Sequence, residues 1–183
     1  VEHLGQRELA VANIVRSVYI VLLIPVNSLS TATNTFVSNC IGAGRKDQVI
    51  QVIRHITWIS LGIMVVFVSV TCLVPSTILS VYTNDVALIQ ASVPSLYVIS
   101  GALLIGAVAN IVFNGVTGTG NTRSAFVMEL VTLVFYTLFI FVAGIRLHMP
   151  VAICFMTEVV YYTGLLLASV IYLKKASWQN KKI

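Results

Sequence analysis

The chain has 183 residues, 58% hydrophobic and 9% charged, with a formal net charge of +5, a pI near 9.3 and a mean hydropathy of +0.97. Soluble domains carry about 25% charged residues because their outer surface must be wetted, so this composition excludes a water-soluble globular fold and makes lipid the solvent for most of the surface. The basic balance does not point to nucleic acid either, since the arginines and lysines lie between apolar runs and form no patch on one amphipathic element.

Five runs are long enough to cross a bilayer as helices, which takes about 20 apolar residues. They cover residues 9–40, 56–74, 94–117, 125–144 and 151–173, and residues 174–183 form a basic tail. The first run exceeds the hydrocarbon core at about 1.5 Å per residue, and Pro25 marks a kink near its middle. Pro75 ends the second run, and the third ends at the glycine cluster "GVTGTGN". Barrel strands are about ten residues long and alternate in polarity, which these runs do not. The expected fold class is therefore all-α and integral to the membrane.

The loops assign sides. Arg45, Lys46, Arg54, Arg123, Lys174, Lys175, Lys181 and Lys182 fall on one side, against Arg7 and Arg146 on the other. The positive-inside rule puts the first side, with the C-terminus, in the cytoplasm. On this reading Val1 lies outside. A chain starting there without a signal peptide is expected to be the C-terminal part of a longer protein.

Catalytic and metal motifs are missing from the sequence. There is no HExxH or GxSxG, Cys40, Cys72 and Cys154 form no CxxC, and His3, His55 and His148 are isolated. The glycine cluster lacks both phosphate-binding fingerprints and reads as a helix C-terminal cap. No enzyme and no cofactor is expected.

Polar residues inside the spans carry more information. At a 3.6-residue period Asn13, Arg16, Asn27, Thr31, Asn34 and Ser38 fall near one stripe of the first span. Gly106, Asn110, Asn114 and Thr117 share a face of the third. Glu129, Thr132 and Tyr136 share one of the fourth. Glu158, Tyr161, Tyr162 and Leu165 cluster in the fifth. Intramembrane charges cost roughly 2.5 to 3.5 kcal/mol each on insertion scales, so they face protein or a wet cavity. Arg16 and Glu158 each lie roughly 10 Å into their spans at helical rise, and equal depth makes them an expected ion pair. That pair serves either as structure or as a cation- or proton-responsive gate, unless Arg16 snorkels outward instead. The asparagines and hydroxyls serve either as cavity lining or as interhelical glue. Glu129 is expected at the interface or beside Arg123.

The segments "LGQRELAVANIV", "IPVNSLSTATNTFVSNCIGAGR" and "NGVTGTGNTR", in this order and spacing, resemble the second half of the multidrug and toxic-compound extrusion (MATE) transporters. The resemblance covers essentially the whole chain. It implies that the five spans are the eighth to twelfth of twelve and form most of the C-terminal six-helix lobe of a two-lobe transporter. It further implies an antiporter of the bacterial cytoplasmic membrane, in which entry of Na⁺ or H⁺ drives export of a small organic, often cationic, substrate. The expected partners are the N-terminal lobe of the same chain and the lipid bilayer, in a monomer. Many relatives carry an aspartate in the tenth span; here Ala107 stands near that position and the span holds no acid. Coupling is thus expected in the other lobe, or at Glu158 with Arg16, with Asn27, Thr31, Asn34, Asn110, Asn114 and Tyr161 lining the cavity. A non-transporting membrane protein is one alternative, and a lipid-linked saccharide flippase of the same superfamily is another. Its cavity should be markedly basic, whereas only Arg16 lies deep in a span.

Overall fold

The computed structural model of the protein describes residues 6–142 and 151–175. Among them every regular element is helical, and five stretches are long and apolar enough to cross a membrane. The helix α1 (Gln6–Gly42) runs unbroken through Pro25. The turn that follows places Gly44 at φ +73°, a left-handed position at which glycine has no Cβ to clash. A short 3₁₀ turn (Lys46–Gln48) then leads into α2 (Val49–Leu73). This second helix stops where expected. Val74, restricted by the proline after it, sits at φ −129° and ψ 52°, and Pro75 occupies the first turn of α3 (Pro75–Ser80).

The third span corrects the expectation at its N-terminus. Helix α4 (Val86–Gly118) begins eight residues before Pro94 and continues through that proline. Asp85 sets the start: its carboxylate accepts from the amides of Ala87 (2.8 Å) and Leu88 (3.3 Å). Gln90 and Ser92 lower the hydropathy of the first turns, so apolarity alone places the boundary too late. The glycine cluster caps α4 as read. Gly120 takes φ +79°, and Asn121 then caps α5 (Thr122–Ile140) by accepting from the Ser124 amide at 3.3 Å. Residues 143–144 of the expected fourth span lie outside the described residues. The fifth span divides at Phe155 into α6 (Val151–Cys154) and α7 (Met156–Lys175), where the Thr157 hydroxyl bonds the Cys154 carbonyl.

Helix α4 is the centre of the bundle. It packs on α1, α2 and α7, and its glycines permit the close approach. A Cβ on Gly106 would stand 2.9 Å from the Tyr162 ring, one on Gly115 2.5 Å from Ile53 Cδ1, and one on Gly118 2.8 Å from the Asn34 carbonyl oxygen. Helices α1 and α4 run parallel: Arg7 reaches the Ala87 carbonyl at one end, and Asn34 meets Thr117 towards the other. Helices α2 and α5 turn apolar faces outward, with Trp58, Val66, Phe67, Phe126, Phe135 and Leu138 exposed. Faces of this kind are covered by lipid or by another protein surface rather than by water.

Candidate functional site: a wet cavity with one carboxylate

At the end of the bundle away from the basic loops, a cavity of about 430 Å³ opens between α1, α4, α5, α6 and α7. Its polar lining includes Asn13, Arg16, Tyr19, Tyr136, Thr157 and Glu158. Glu158 lies in the first turn of α7, where the positive end of the helix dipole favours an anion. The carboxylate is half-buried and accepts a hydrogen bond from the Tyr19 hydroxyl, with Oε2 at 3.0 Å. The Tyr19 hydroxyl in turn lies 2.6 Å from that of Tyr162. With the Tyr19 proton directed at the carboxylate, Tyr162 donates to the Tyr19 oxygen. The result is a short relay of hydroxyls ending on Glu158. Tyr161 stands beside it, with edge-on ring contacts to Tyr136 (centroids 6.0 Å apart) and Tyr162 (5.4 Å).

The expected direct ion pair between Arg16 and Glu158 is not formed. Both side chains line the same cavity, but Tyr19 holds the carboxylate, and Arg16 is exposed to the opening. Equal depth is not equal azimuth. Tyr19 lies one turn further along the same face of α1 and fills the space nearest α7. Arg16 therefore acts on Glu158 across the cavity rather than by contact.

The other polar residues singled out from the sequence sit elsewhere. Asn34 donates to the Thr117 hydroxyl at 2.8 Å, Thr117 donates to the Asn114 carbonyl at 2.8 Å, and Ser38 donates to the Gly118 carbonyl at 3.2 Å. These bonds form a seam between α1 and α4 towards the basic end. Asn110 and Asn114 return their amides to the carbonyls of Gly106 (3.0 Å) and Asn110 (2.9 Å) on their own helix. Asn27 and Thr31 are exposed on α1, where the Thr31 hydroxyl donates to the Asn27 carbonyl at 3.0 Å. Tyr161 contributes to the aromatic wall rather than to the lining of the cavity itself. Glu129 is exposed and makes no ion pair with Arg123. Among the described residues no three His, Cys, Asp or Glu side chains converge as a metal site.

Tyr19 is the residue that the sequence reading missed. Its signal was present: it is a hydroxyl-bearing side chain three residues after Arg16, on the edge of the polar stripe of an otherwise apolar segment.

No curated protein and no solved structure matches the chain. A family model described as MatE matches residues 1–143, which include α1, α2, α4 and α5. The order of polar and glycine-bearing segments, the helical membrane bundle and this match agree, and the chain belongs to the MatE family of membrane transporters.

Proposed function

We propose that the chain forms the C-terminal lobe of a two-lobe, cation-coupled antiporter of the bacterial cytoplasmic membrane, exporting small organic cations in exchange for Na⁺ or H⁺. It works as a monomer with an N-terminal lobe of the same chain, and its C-terminus is cytoplasmic. The observation that carries this reading is the carboxylate of Glu158, half-buried, held by Tyr19 and facing a polar-lined cavity within a membrane bundle. An intramembrane acid is costly and is retained where it does chemistry or pairs with a cation. Its direct partner here is a hydroxyl, which leaves the negative charge to be met by a mobile ion.

Coupling then follows from competition. A proton or sodium ion on Glu158 removes or offsets its charge, weakens the pull on the Tyr19 hydroxyl and lowers the attraction to Arg16 across the cavity. Each change biases one of two packings of α1 against α7. An ion shifts such an equilibrium only by its differential affinity for the two states. The substrate, a cation, competes for the same negative field.

The test uses the full chain in proteoliposomes. Ethidium flux is followed under an imposed Na⁺ gradient and then an imposed pH gradient, each beside Glu158→Gln. Gradient-driven flux that the substitution abolishes is expected. Driven flux that survives it would move coupling out of this site, and no driven flux with either ion would overturn the antiporter reading.

A further inference from the structure

A second concavity lies at the opposite, basic end, on the outward side of the bundle between α2 and α7. It encloses about 530 Å³. Its floor is apolar, made by Ile50, Ile53, Val112 and Val170, and its rim carries Arg54 from α2 and Lys174 from α7. The helical spacing explains the arrangement. Arg54 and Trp58 are four residues apart on α2, and Val170 and Lys174 four apart on α7, so each helix presents one cation a turn from an apolar wall. Both cations are exposed, and neither has a carboxylate within 4.0 Å among the described residues. Trp58, 67% exposed on the same wall, is the residue type that settles at the boundary between headgroups and acyl chains. The α2 face that continues from it is apolar and open, with Val65 and Val66 exposed.

Nothing in the cavity around Glu158 accounts for this groove. A soluble anion would satisfy the two cations but gain nothing from the apolar floor. A neutral lipid would fill the floor and leave the cations without a counter-charge. An anionic phospholipid meets both demands at once, with a phosphate for the cationic rim and an acyl chain for the apolar floor. Basic pockets between membrane helices on the cytoplasmic side select such headgroups.

We infer that the groove between α2 and α7 is a binding site for an anionic phospholipid of the leaflet at the basic end. Its phosphate rests on Arg54 and Lys174, and its acyl chain lies along Ile53, Val112 and Val170. The inference stands apart from the identity of the transported substrate and from the coupling role of Glu158.

The experiment is native mass spectrometry of the full chain, released from detergent after titration with dioleoyl phosphatidylglycerol or with dioleoyl phosphatidylcholine. The wild type should retain the anionic lipid preferentially. Arg54→Gln with Lys174→Gln should weaken that retention by about 30-fold, at roughly fivefold per interfacial cation. Arg45→Gln with Lys175→Gln removes the same charge outside the groove and should leave retention within about twofold. Val170→Trp keeps both cations and fills the floor, and it should lower retention of both lipids. Equal loss from the two charge pairs would show diffuse attraction and overturn the site. So would a wild type that does not distinguish the two lipids, retention unchanged in the groove pair, or displacement of the lipid by millimolar inorganic phosphate.

Discussion

The two halves of α1 carry similar residues and do different things with them. Towards the basic end, Asn34 and Ser38 spend their hydrogen bonds on Thr117 and Gly118 of α4 at close range, around a glycine that allows the backbones to touch. Towards the other end, Arg16 and Tyr19 of the same helix face a cavity, where the Tyr19 hydroxyl meets a half-buried carboxylate and Arg16 stands open. In the first set donors and acceptors meet at fixed distances; in the second a carboxylate and a guanidinium face open space. Polarity in a membrane helix therefore has no single meaning. What separates glue from site is whether the partner is backbone and hydroxyl at fixed distance, or an ionisable group beside open space.

The sharpest way to break the comparison is in the packed half. Gly115→Leu drives a side chain into that of Ile53, whose Cδ1 and Cγ1 lie 2.5 and 2.7 Å from where a Cβ would stand and which is itself buried in the core. Overpacking of this kind costs about 3 kcal/mol, and the thermal midpoint of the purified protein in detergent should fall accordingly, with poor recovery of folded material. In the open half, Glu158→Gln should leave that midpoint nearly unmoved while gradient-driven flux falls by at least about tenfold, the value for one lost interaction of 1.4 kcal/mol. Tyr19→Phe removes the hydroxyl on Glu158 but keeps the ring. Driven flux should fall about fivefold, corresponding to roughly 1 kcal/mol for the lost bond, and the thermal midpoint should change little. The smallest effect belongs to the seam. Asn34→Ala should cost about 0.6 kcal/mol in thermal or denaturant unfolding and leave flux unchanged, as interhelical hydrogen bonds in membranes average that little. Flux loss from Asn34→Ala equal to that from Tyr19→Phe would erase the distinction between the two halves.

The spans were legible because membrane insertion depends on summed apolarity, which a sequence carries openly. Pro75 and the "GTGN" turn were legible because proline and glycine act through their own backbones, with no help from neighbours. The start of α4 was not, because Asp85 caps the helix in a stretch whose hydropathy is diluted by Gln90 and Ser92. The same limit governs the site. Depth along a span follows from counting residues, and it brought Arg16 and Glu158 to one cavity. Azimuth and the shape of the intervening side chains do not follow from counting, so the hydroxyl of Tyr19 took the contact assigned to Arg16. For Asn34 and Ser38 the 3.6-residue period found the face correctly; what that face met, a glycine at 118, depended on the register of two helices 80 residues apart.

One contact ties the packed region to the open one. Gly106 leaves no more than a hydrogen's width between α4 and the ring of Tyr162, and that ring carries the hydroxyl that touches Tyr19. The tyrosine thus works as a feeler gauge: its ring lies against α4 while its hydroxyl rests on α1. One side chain spans three helices, so a shift of α7 against either α4 or α1 disturbs both of its contacts.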